Sequence, residues 1–538
     1  MSVKRHFGKE WLAIAAVAVL AGVLGFRDIG NTPIYLGGDE AHFAVHAHAI
    51  ATTGHDLNGR VMPLFFNLAD PLGDYKAAAV HRWYQPTLFY LTALVLKFVP
   101  VSEASVRAPT AFIGVLDALL MFALARRFFA GWFYPTLAAV LLVASPAHMI
   151  LSRQATDYIC FLPFILGWLW CLAESVETGG LGPSFFAGLL LGLGFFSYLA
   201  AWGLTPLYLA LTWIAQYRTR RAVAPLVASG IGFVLPLLPV VPWLIAHPDM
   251  LRETMARYGA AGAAHGTLLD AARTFFRFGN IQQRISVYWD YFDPAFLFLT
   301  GGLSLTTATS RAGVFLLPVA ALLPVGIYAL LAHEAAAAIG MVLLVGLASA
   351  PIPAALVGER YMIQRALFLL PFGALISTFG LAFWLRQPRA AVRACAVVLL
   401  VALPIQFAYF YRMYFTSYRS RAAKFYDAAD FRDAAEYVMA SNASGRLPKV
   451  YLSRRLDEGS ARWRFFVTKH HHEDLLTRTV YFDGDGMDAG DAPIGTLMVM
   501  PADEHTLAAL LNTKEWSVEK AIVDNDGDVA STILRKVR

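Results

Sequence analysis

Charged residues and cysteines are both scarce in this chain. Charged residues make up 15% of the 538 residues, whereas soluble domains contain about 25%. The three cysteines, Cys160, Cys171 and Cys395, lie in or beside apolar segments, with no spacing typical of a disulfide framework or a metal site. The net charge of +6 is spread over short basic clusters, without the basic, aromatic-rich polar surface of a nucleic-acid-binding protein. These absences argue against a soluble enzyme, a disulfide-rich domain and a nucleic-acid partner.

What the chain has instead is long apolar segments. Hydrophobic residues make up 57% of the sequence, and the mean hydropathy is +0.53. The apolar segments approach or reach the roughly 17–25 residues that cross a bilayer. They cover residues 11–26, 134–151, 185–201, 227–246, 314–331 and 366–385. The sequence therefore predicts an α-helical polytopic protein of the inner or plasma membrane. Its first segment follows Lys4, Arg5 and Lys9, which favours a retained helix with a cytoplasmic N-terminus over a signal peptide.

The basic clusters predict the topology. If the clusters at residues 4–9, 126–127, 218–221 and 386–393 all face the cytoplasm, an even number of crossings separates each pair. This gives about eleven spans, with residues 27–106 and 247–311 as large outer loops. Residues 86–99 are too short for a full crossing and contain Lys97, so we interpret them as a juxtamembrane or re-entrant helix. If they do cross, the count rises by one and the sidedness of the later loops changes.

The composition changes after Tyr411. Residues 412–538 are rich in charge, and FRDAAEYVMA and EHTLAALLNT have helical periodicity, whereas KVYLS, TVYFD and TLMVM read as short buried strands. The NDG of residues 525–527 predicts a hairpin turn. We predict a membrane domain over residues 1–411 and a soluble α/β domain over residues 412–538 on the extracytoplasmic side.

Two acidic positions are candidates for chemistry. Asp39 and Glu40 open a predicted helix just beyond the first span, and Asp157 begins a later span. Each is also explained as an acidic residue at a helix N-terminus. The predicted topology places both positions on the outer side, however, where a carboxylate can act as a general base. Their convergence on one side favours a functional site.

The sequence resembles the GT-C glycosyltransferases. The segments that carry the resemblance lie in order over residues 10–410, and the similarity is greatest to the protein O-mannosyltransferase and lipid A aminoarabinose transferase branch. They are GGDEAHF, WYQPTLFYLTAL, SEASVRAPTAFIGVL, SRQATDYI, DYFDPAFLFLTGG and MIQRALFLLPFGALISTFG. The C-terminal region is similar only in being a soluble outer domain.

The resemblance implies inverting transfer of a sugar from a polyprenyl-phosphate donor to an envelope glycolipid, glycan or protein acceptor. Asp39 matches the catalytic aspartate of these enzymes, Glu40 its usual companion, and Asp157 a second acidic position. A phosphate leaving group requires no strong general acid, so one base and a cation suffice.

The donor phosphate requires basic groups on the outer side. Arg365 matches a basic position of the family, and Arg82, Arg284 and Arg360 are further candidates, with Lys76 and Arg107 behind them. One position departs from the family pattern. Where relatives often have a lysine before the proline of the loop helix, this chain has Gln85, so another cation must supply the charge.

The histidines give no clear metal motif. His42 and His46 are four residues apart on one predicted helix face, a spacing that permits a metal site, but no Glu completes an HExxH motif. We interpret them as an interfacial polar face and predict no cofactor, leaving a divalent cation open.

A multi-span transporter or flippase of lipid-linked substrates is the alternative function. Against it are the lack of an internal repeat and of interrupted spans, while a non-catalytic scaffold on the same fold stays open.

Overall fold

A computed structural model describes residues 7–68, 83–257, 277–332, 337–442, 445, 447–456, 459–483, 491–524 and 526–538. The membrane region is helical. Its α-helices span Phe7–Phe26, Gly38–Thr53, Thr87–Leu96, Glu103–Phe128, Phe133–Val143, Pro146–Leu151, Leu162–Thr178, Leu181–Gly194, Ala201–Arg220, Ala224–Val234, Val240–Ala246, Met250–Arg257, Phe278–Asp290, Val319–Ala332, Ala337–Ser349, Ile352–Val357, Leu369–Leu385 and Ala390–Met413. A two-stranded antiparallel ribbon, β1 (Phe66–Asn67) and β2 (Trp83–Tyr84), lies in the first outer loop.

The apolar helices confirm the predicted membrane-embedded helical architecture. Among the described residues, six segments are long and apolar enough to cross a membrane: Lys9–Phe26, Glu103–Phe128, Asp157–Thr178, Ala224–Ala246, Ala338–Val357 and Ala390–Tyr426. Shorter apolar helices accompany them, so the total of about eleven spans stays a prediction. One of these, Thr87–Leu96, has ten residues. At about 1.5 Å per residue it is half as long as a hydrocarbon core of about 30 Å.

Two predicted spans differ in detail from the structure. The segment predicted over residues 133–151 is broken at Ser145, because Pro146 has no backbone N–H to continue a helix and starts a new one. An interrupted helix is therefore present, which removes one argument made from the sequence against a transporter. The helix of the final span, predicted to end near residue 411, runs on beyond Met413 through a π-helical turn at Tyr414–Tyr418 into helix Arg419–Tyr426. No Gly or Pro interrupts residues 412–426, so the rise in charge there marks no helix end.

Glycines let neighbouring membrane helices touch backbone to backbone. Between Leu181–Gly194 and Ala224–Val234, a Cβ atom added to Gly188 would lie 1.8 Å from the carbonyl oxygen of Ser229. A Cβ atom added to Gly232 would lie 2.1 Å from a carbonyl oxygen of the facing helix. Because lipid offers no hydrophobic drive for helix association, such close approach supplies the packing energy.

The C-terminal region forms a mixed sheet with flanking helices, as the sequence predicts. Among its described residues, the strands are β3 (Val450–Ser453), β4 (Thr479–Phe482), β5 (Leu497–Pro501), β6 (Trp516–Val523) and β7 (Val529–Lys536), in the order β4-β3-β5-β7-β6. Strand β3 runs parallel to β4 and β5, and β7 is antiparallel to β5 and β6. The helices are Arg419–Tyr426, Phe431–Ser441, Gly459–Lys469 and Leu507–Asn512.

The C-terminal region docks on the loop that follows the first membrane helix. Helix Gly459–Lys469 packs against helix Gly38–Thr53. Lys469 Nζ lies 2.9 Å from Glu103 Oε1 at the start of a membrane helix. At the β6–β7 hairpin, Lys424 Nζ lies 3.0 Å from Asp524 and 2.7 Å from Asp526. The helix contact and the Lys469–Glu103 pair join the C-terminal region to the part of the chain that carries the acidic motif, whereas the Lys424 pairs lie within the C-terminal region.

Candidate active site

Asp39 lies in the first turn of helix Gly38–Thr53, and two tyrosines hold its carboxylate. Tyr84, in β2, donates its hydroxyl to Oδ1 at 3.1 Å. Tyr158 donates to Oδ2 at 3.3 Å. A carboxylate has about four lone-pair sites, so two donors orient it and leave acceptor capacity for a substrate hydroxyl. Asp39 is partly exposed and can therefore be reached.

Glu40, the next residue, is buried and fully engaged. Arg107 donates through Nε to Oε1 at 2.8 Å and through Nη2 to Oε2 at 2.9 Å. The backbone N–H groups of Ala155 and Gly37 each donate to one oxygen at 2.8 Å. Four donors fill the lone pairs of the carboxylate. Glu40 therefore acts as a positioning residue that ties the outer loop to the membrane helices, rather than as a group that contacts substrate.

Arg107 belongs to this same network. Its side chain is fully buried, and its guanidinium also donates to the carbonyl oxygens of Ile29, Pro33 and Tyr35. A guanidinium has five N–H donors, and all five are used in these bonds. The sequence placed Arg107 among the lesser phosphate candidates, but it has no donor left for a phosphate.

Asp157 comes close to Asp39 although 117 residues separate them. It begins the short 3₁₀ turn Asp157–Ile159 and is 2% exposed. Both Asp39 and Arg365 lie within electrostatic range of its carboxylate. The two acidic positions that the sequence predicts on one side therefore meet, and a basic residue from far along the chain joins them.

Arg365 connects to the acidic residues through two tyrosines. Its Nη1 donates to the hydroxyl of Tyr198 at 3.1 Å, and its Nε donates to Glu359 Oε2 at 2.9 Å. The rings of Tyr198 and Tyr158 meet edge to face with centroids 5.6 Å apart. Since Tyr158 contacts Asp39, a chain of contacts runs from the arginine to that carboxylate. The resulting site links a partly exposed carboxylate to a partly buried guanidinium through two tyrosine side chains.

The other basic candidates lie in different surroundings. Arg360 forms an ion pair with Asp290 at 2.7 Å and donates to Ser286 at 3.1 Å, and its side chain is 47% exposed. Arg284 donates to the carbonyl oxygen of Leu356 at 3.2 Å. Gln85 is buried beside Tyr84. Arg82 and Lys76 lie outside the described residues.

The histidine pair is not the interfacial polar face that the sequence predicts. His42 and His46 are 1% and 2% exposed, because their helix packs against helix Thr87–Leu96 and the C-terminal region. The rings of Phe66 and Phe89 contact His46 edge to face. Burial lowers the pKa of His46 to about 3, so its imidazole is neutral near pH 7. Within the described part of the chain, no group of three or more His, Cys, Asp or Glu residues could hold a metal ion.

Sequence reasoning missed four residues that organise the site. They are Tyr84, Tyr158, Tyr198 and Glu359. Tyr84 and Tyr158 lie inside the quoted motifs, so their position beside Gln85 and Asp157 was a usable signal. Tyr198 and Glu359 had no such signal in the sequence, because only the fold brings them to Arg365.

The fold is similar to that of ArnT over almost the whole chain, in agreement with the fold that the sequence motifs predict. ArnT from Cupriavidus metallidurans in the apo state has a TM-score of 0.56 and 15% identity, covering 98% of both chains. The same protein bound to undecaprenyl phosphate gives a TM-score of 0.54 at 15% identity, covering 97% of both chains. The apo oligosaccharyltransferase of Archaeoglobus fulgidus has a TM-score of 0.49 and 14% identity, covering 88% of this chain and 65% of that one.

A sequence comparison finds similarity over less than a third of the chain. Residues 84–245 match the family model described as dolichyl-phosphate-mannose-protein mannosyltransferase. This segment contains Tyr84, Gln85, Arg107 and Asp157 of the site region. No curated protein matches the chain in sequence.

Proposed function

We propose that this protein is an inverting glycosyltransferase that moves a sugar from a polyprenyl-phosphate donor to an envelope glycolipid, glycan or protein acceptor. The observation that carries the proposal is the convergence of Asp39, Asp157 and Arg365. The similar ArnT structure bound to undecaprenyl phosphate supports a lipid phosphate as the donor group. The site needs no metal for this chemistry in our proposal.

The reaction follows from the groups present. Asp39 accepts the proton of an acceptor hydroxyl, whose oxygen attacks the anomeric carbon of the donor sugar. The bond between that carbon and the phosphate oxygen breaks, and its electron pair leaves with the phosphate. Arg365 stabilises the charge that develops on the phosphate. Attack opposite the leaving group inverts the anomeric centre, and Asp157 shapes the pocket beside the base.

We propose that the site lies on the extracytoplasmic side, with the N-terminus in the cytoplasm. The acidic motif lies in the loop that follows the first span, and the C-terminal region docks on that loop. The two regions must therefore share one side of the membrane. The basic clusters assign that side as outer.

A transfer assay tests the proposal. Purified protein in detergent is incubated with synthetic polyprenyl-phosphate sugars and an envelope extract, and the glycosylated product and released polyprenyl phosphate are measured. We expect one glycosylated product for each polyprenyl phosphate released. The anomeric configuration of the product should be inverted relative to that of the donor. If no donor yields product, the proposal fails and a flux assay in vesicles then tests the flippase alternative.

Arg365→Gln tests the phosphate contact. A hydrogen bond to a charged group is worth about 1.5–3 kcal/mol, so kcat/KM for the donor should fall about 10- to 100-fold. Arg360→Gln is the matched control, because the Arg360 side chain is 47% exposed and its hydrogen bonds go to Asp290 and Ser286 rather than to the tyrosines of the site. A larger loss in the Arg360 variant than in the Arg365 variant would transfer the phosphate role to Arg360.

Tyr158→Phe tests how Asp39 is held. Removing the hydroxyl removes one of the two donors to the carboxylate, so kcat should fall about 5- to 10-fold while KM for the donor stays constant. Tyr437→Phe is the control, since its hydroxyl also donates to a carboxylate, that of Glu519, but in the C-terminal region. Equal activity in the two variants would show that Tyr158 does not orient the base.

A further inference from the structure

A cavity lies where the C-terminal region meets the first outer loop. It has a volume of about 480 Å³ and lies between helix Gly38–Thr53 and helix Gly459–Lys469. Pockets for small ligands measure about 300–1,000 Å³, so this one has room for a sugar with a charged substituent. The cavity is separate from the cluster of Asp39, Asp157 and Arg365, none of which lines it.

The cavity contains an arginine, Arg464, and two carboxylates, of which Asp56 is paired with Arg60 and Glu473 forms no ion pair with Arg464 in the described part of the chain. Arg464 lines the cavity from helix Gly459–Lys469, and within the described part of the chain it has no ion-pair partner. Six other arginines of the C-terminal region pair with a carboxylate, whereas Arg419 and Arg421 donate to backbone carbonyl oxygens; the pairs are Arg432 with Asp433, Arg454 with Asp483, Arg455 with Asp503, Arg462 with Asp427, Arg478 with Asp474 and Arg535 with Glu519. An unpaired guanidinium in a pocket is a binding group for phosphate or carboxylate.

The rest of the lining suits a sugar ring. His48 and Glu473 add hydrogen-bonding groups, and burial lowers the pKa of His48, so its neutral imidazole can both donate and accept. Phe465 and Val101 provide apolar wall. Apolar walls with a few placed polar groups are typical of specific small-ligand sites. A sugar ring presents C–H faces to such walls and hydroxyls to the polar groups, while its anionic substituent meets Arg464.

The cavity is also coupled to the candidate base through one helix. Asp39 lies in the first turn of helix Gly38–Thr53, and His48 lies nine residues further along it. At about 1.5 Å per residue the two positions are about 14 Å apart along the helix axis. At 3.6 residues per turn the two positions lie on opposite faces of the helix, so an acceptor that occupies the cavity must pass around the helix to reach Asp39.

We infer that this cavity binds an anionic sugar of the acceptor and so selects which molecule is glycosylated. The acceptor assignment rests on the proposed function, whereas the binding of an anionic sugar does not. A phosphorylated sugar and a uronic acid share the required chemistry, an oxyanion on a polyhydroxylated ring.

The experiment measures binding of glucose 6-phosphate to the purified full-length protein in detergent, with glucose as the uncharged counterpart. We expect glucose 6-phosphate to bind at least tenfold more tightly than glucose, and Arg464→Gln to weaken its binding about tenfold or more. Arg464→Lys should retain part of the affinity, because the charge remains. Lys514→Gln, an exposed lysine of the same region outside the cavity, is the control. Thermal melting shows that each variant is folded.

Each outcome decides one of the two claims. Unchanged affinity in a folded Arg464→Gln variant, or equal affinity for glucose, overturns the site. In the transfer assay, glucose 6-phosphate should compete with the acceptor and not with the donor, and competition with the donor overturns the acceptor assignment. If no transfer occurs but binding depends on Arg464, the anionic-sugar site stands and the proposed function fails. If transfer depends on Asp39 but glucose 6-phosphate does not bind, the proposed function stands and the anionic-sugar site fails.

Discussion

Replacing Asp39 by Asn is expected to lower the rate of sugar transfer by about 10²-fold or more, because an amide cannot accept the proton of the acceptor hydroxyl. The amide oxygen can still accept hydrogen bonds from Tyr84 and Tyr158, so the local geometry and the fold should persist. The measurement is the initial rate of product formation with the polyprenyl-phosphate donor that gives product in the wild type. Donor KM should change little, since the substitution acts on the chemical step.

The matched control is Asp503→Asn. Asp503 is an aspartate of the C-terminal region whose side chain is 76% exposed and pairs with Arg455 at the surface. Its substitution should leave the rate unchanged. Turnover in Asp39→Asn equal to that of the control would remove Asp39 as the base and make Asp157, the other carboxylate of the cluster, the next to be substituted.

Replacing Arg107 by Gln is expected to lower the free energy of unfolding by about 3–5 kcal/mol, the usual cost of removing one partner of a buried ion pair. The substitution leaves the Glu40 carboxylate buried without its main counter-charge and removes donors to the carbonyl oxygens of residues 29, 33 and 35. The measurement is denaturation of the detergent-solubilised protein, followed by tryptophan fluorescence.

The same helix supplies the control for this prediction. Arg126 pairs with Glu10 at 3.1 Å, but both side chains are about one-third exposed. Arg126→Gln should therefore cost at most about 1 kcal/mol. In the double variant Arg107→Gln with Glu40→Gln, the loss should be smaller than the sum of the single losses, because both changes break one network. Equal stability of the Arg107 and Arg126 variants would contradict the role of the buried pair in holding the outer loop.

Asp39 and Glu40 show how far the sequence goes in locating function. The motif GGDEAHF predicted that one or both carboxylates matter, and both lie at the helix start where they were expected. The resemblance assigned Asp39 as the base and Glu40 as its companion, but the residue pattern alone does not show which carboxylate is accessible, since neighbouring residues on a helix point in different directions. Asp39 points toward Tyr84 and Tyr158 and stays accessible, whereas Glu40 points inward to Arg107.

For the basic residues, the sequence identified one arginine of the site but not the roles of the others. Arg365 was ranked first through its resemblance to a family position, and it is the arginine found beside Asp157. Arg107 was a weaker phosphate candidate and is instead a structural residue, which only its complete burial reveals. Arg464, the basis of the acceptor-site inference, carried no motif. Its significance comes from the lack of an ion-pair partner among the described residues of a pocket formed by two distant helices.

The sequence by itself determined that the chain lies in a membrane and that its membrane region is built of helices. Apolar segments of bilayer length with few charges can be stable only in a membrane, and their helices satisfy their own backbone hydrogen bonds, so composition and segment length suffice to predict them. The alternation of short strands and helices likewise determined the C-terminal sheet region. Only the tertiary structure decided which of the acidic and basic residues form one site. Their positions at 39, 157 and 365 are joined by long-range helix packing and by tyrosine hydroxyls. No local pattern encodes those contacts, because each depends on how distant helices pack against one another.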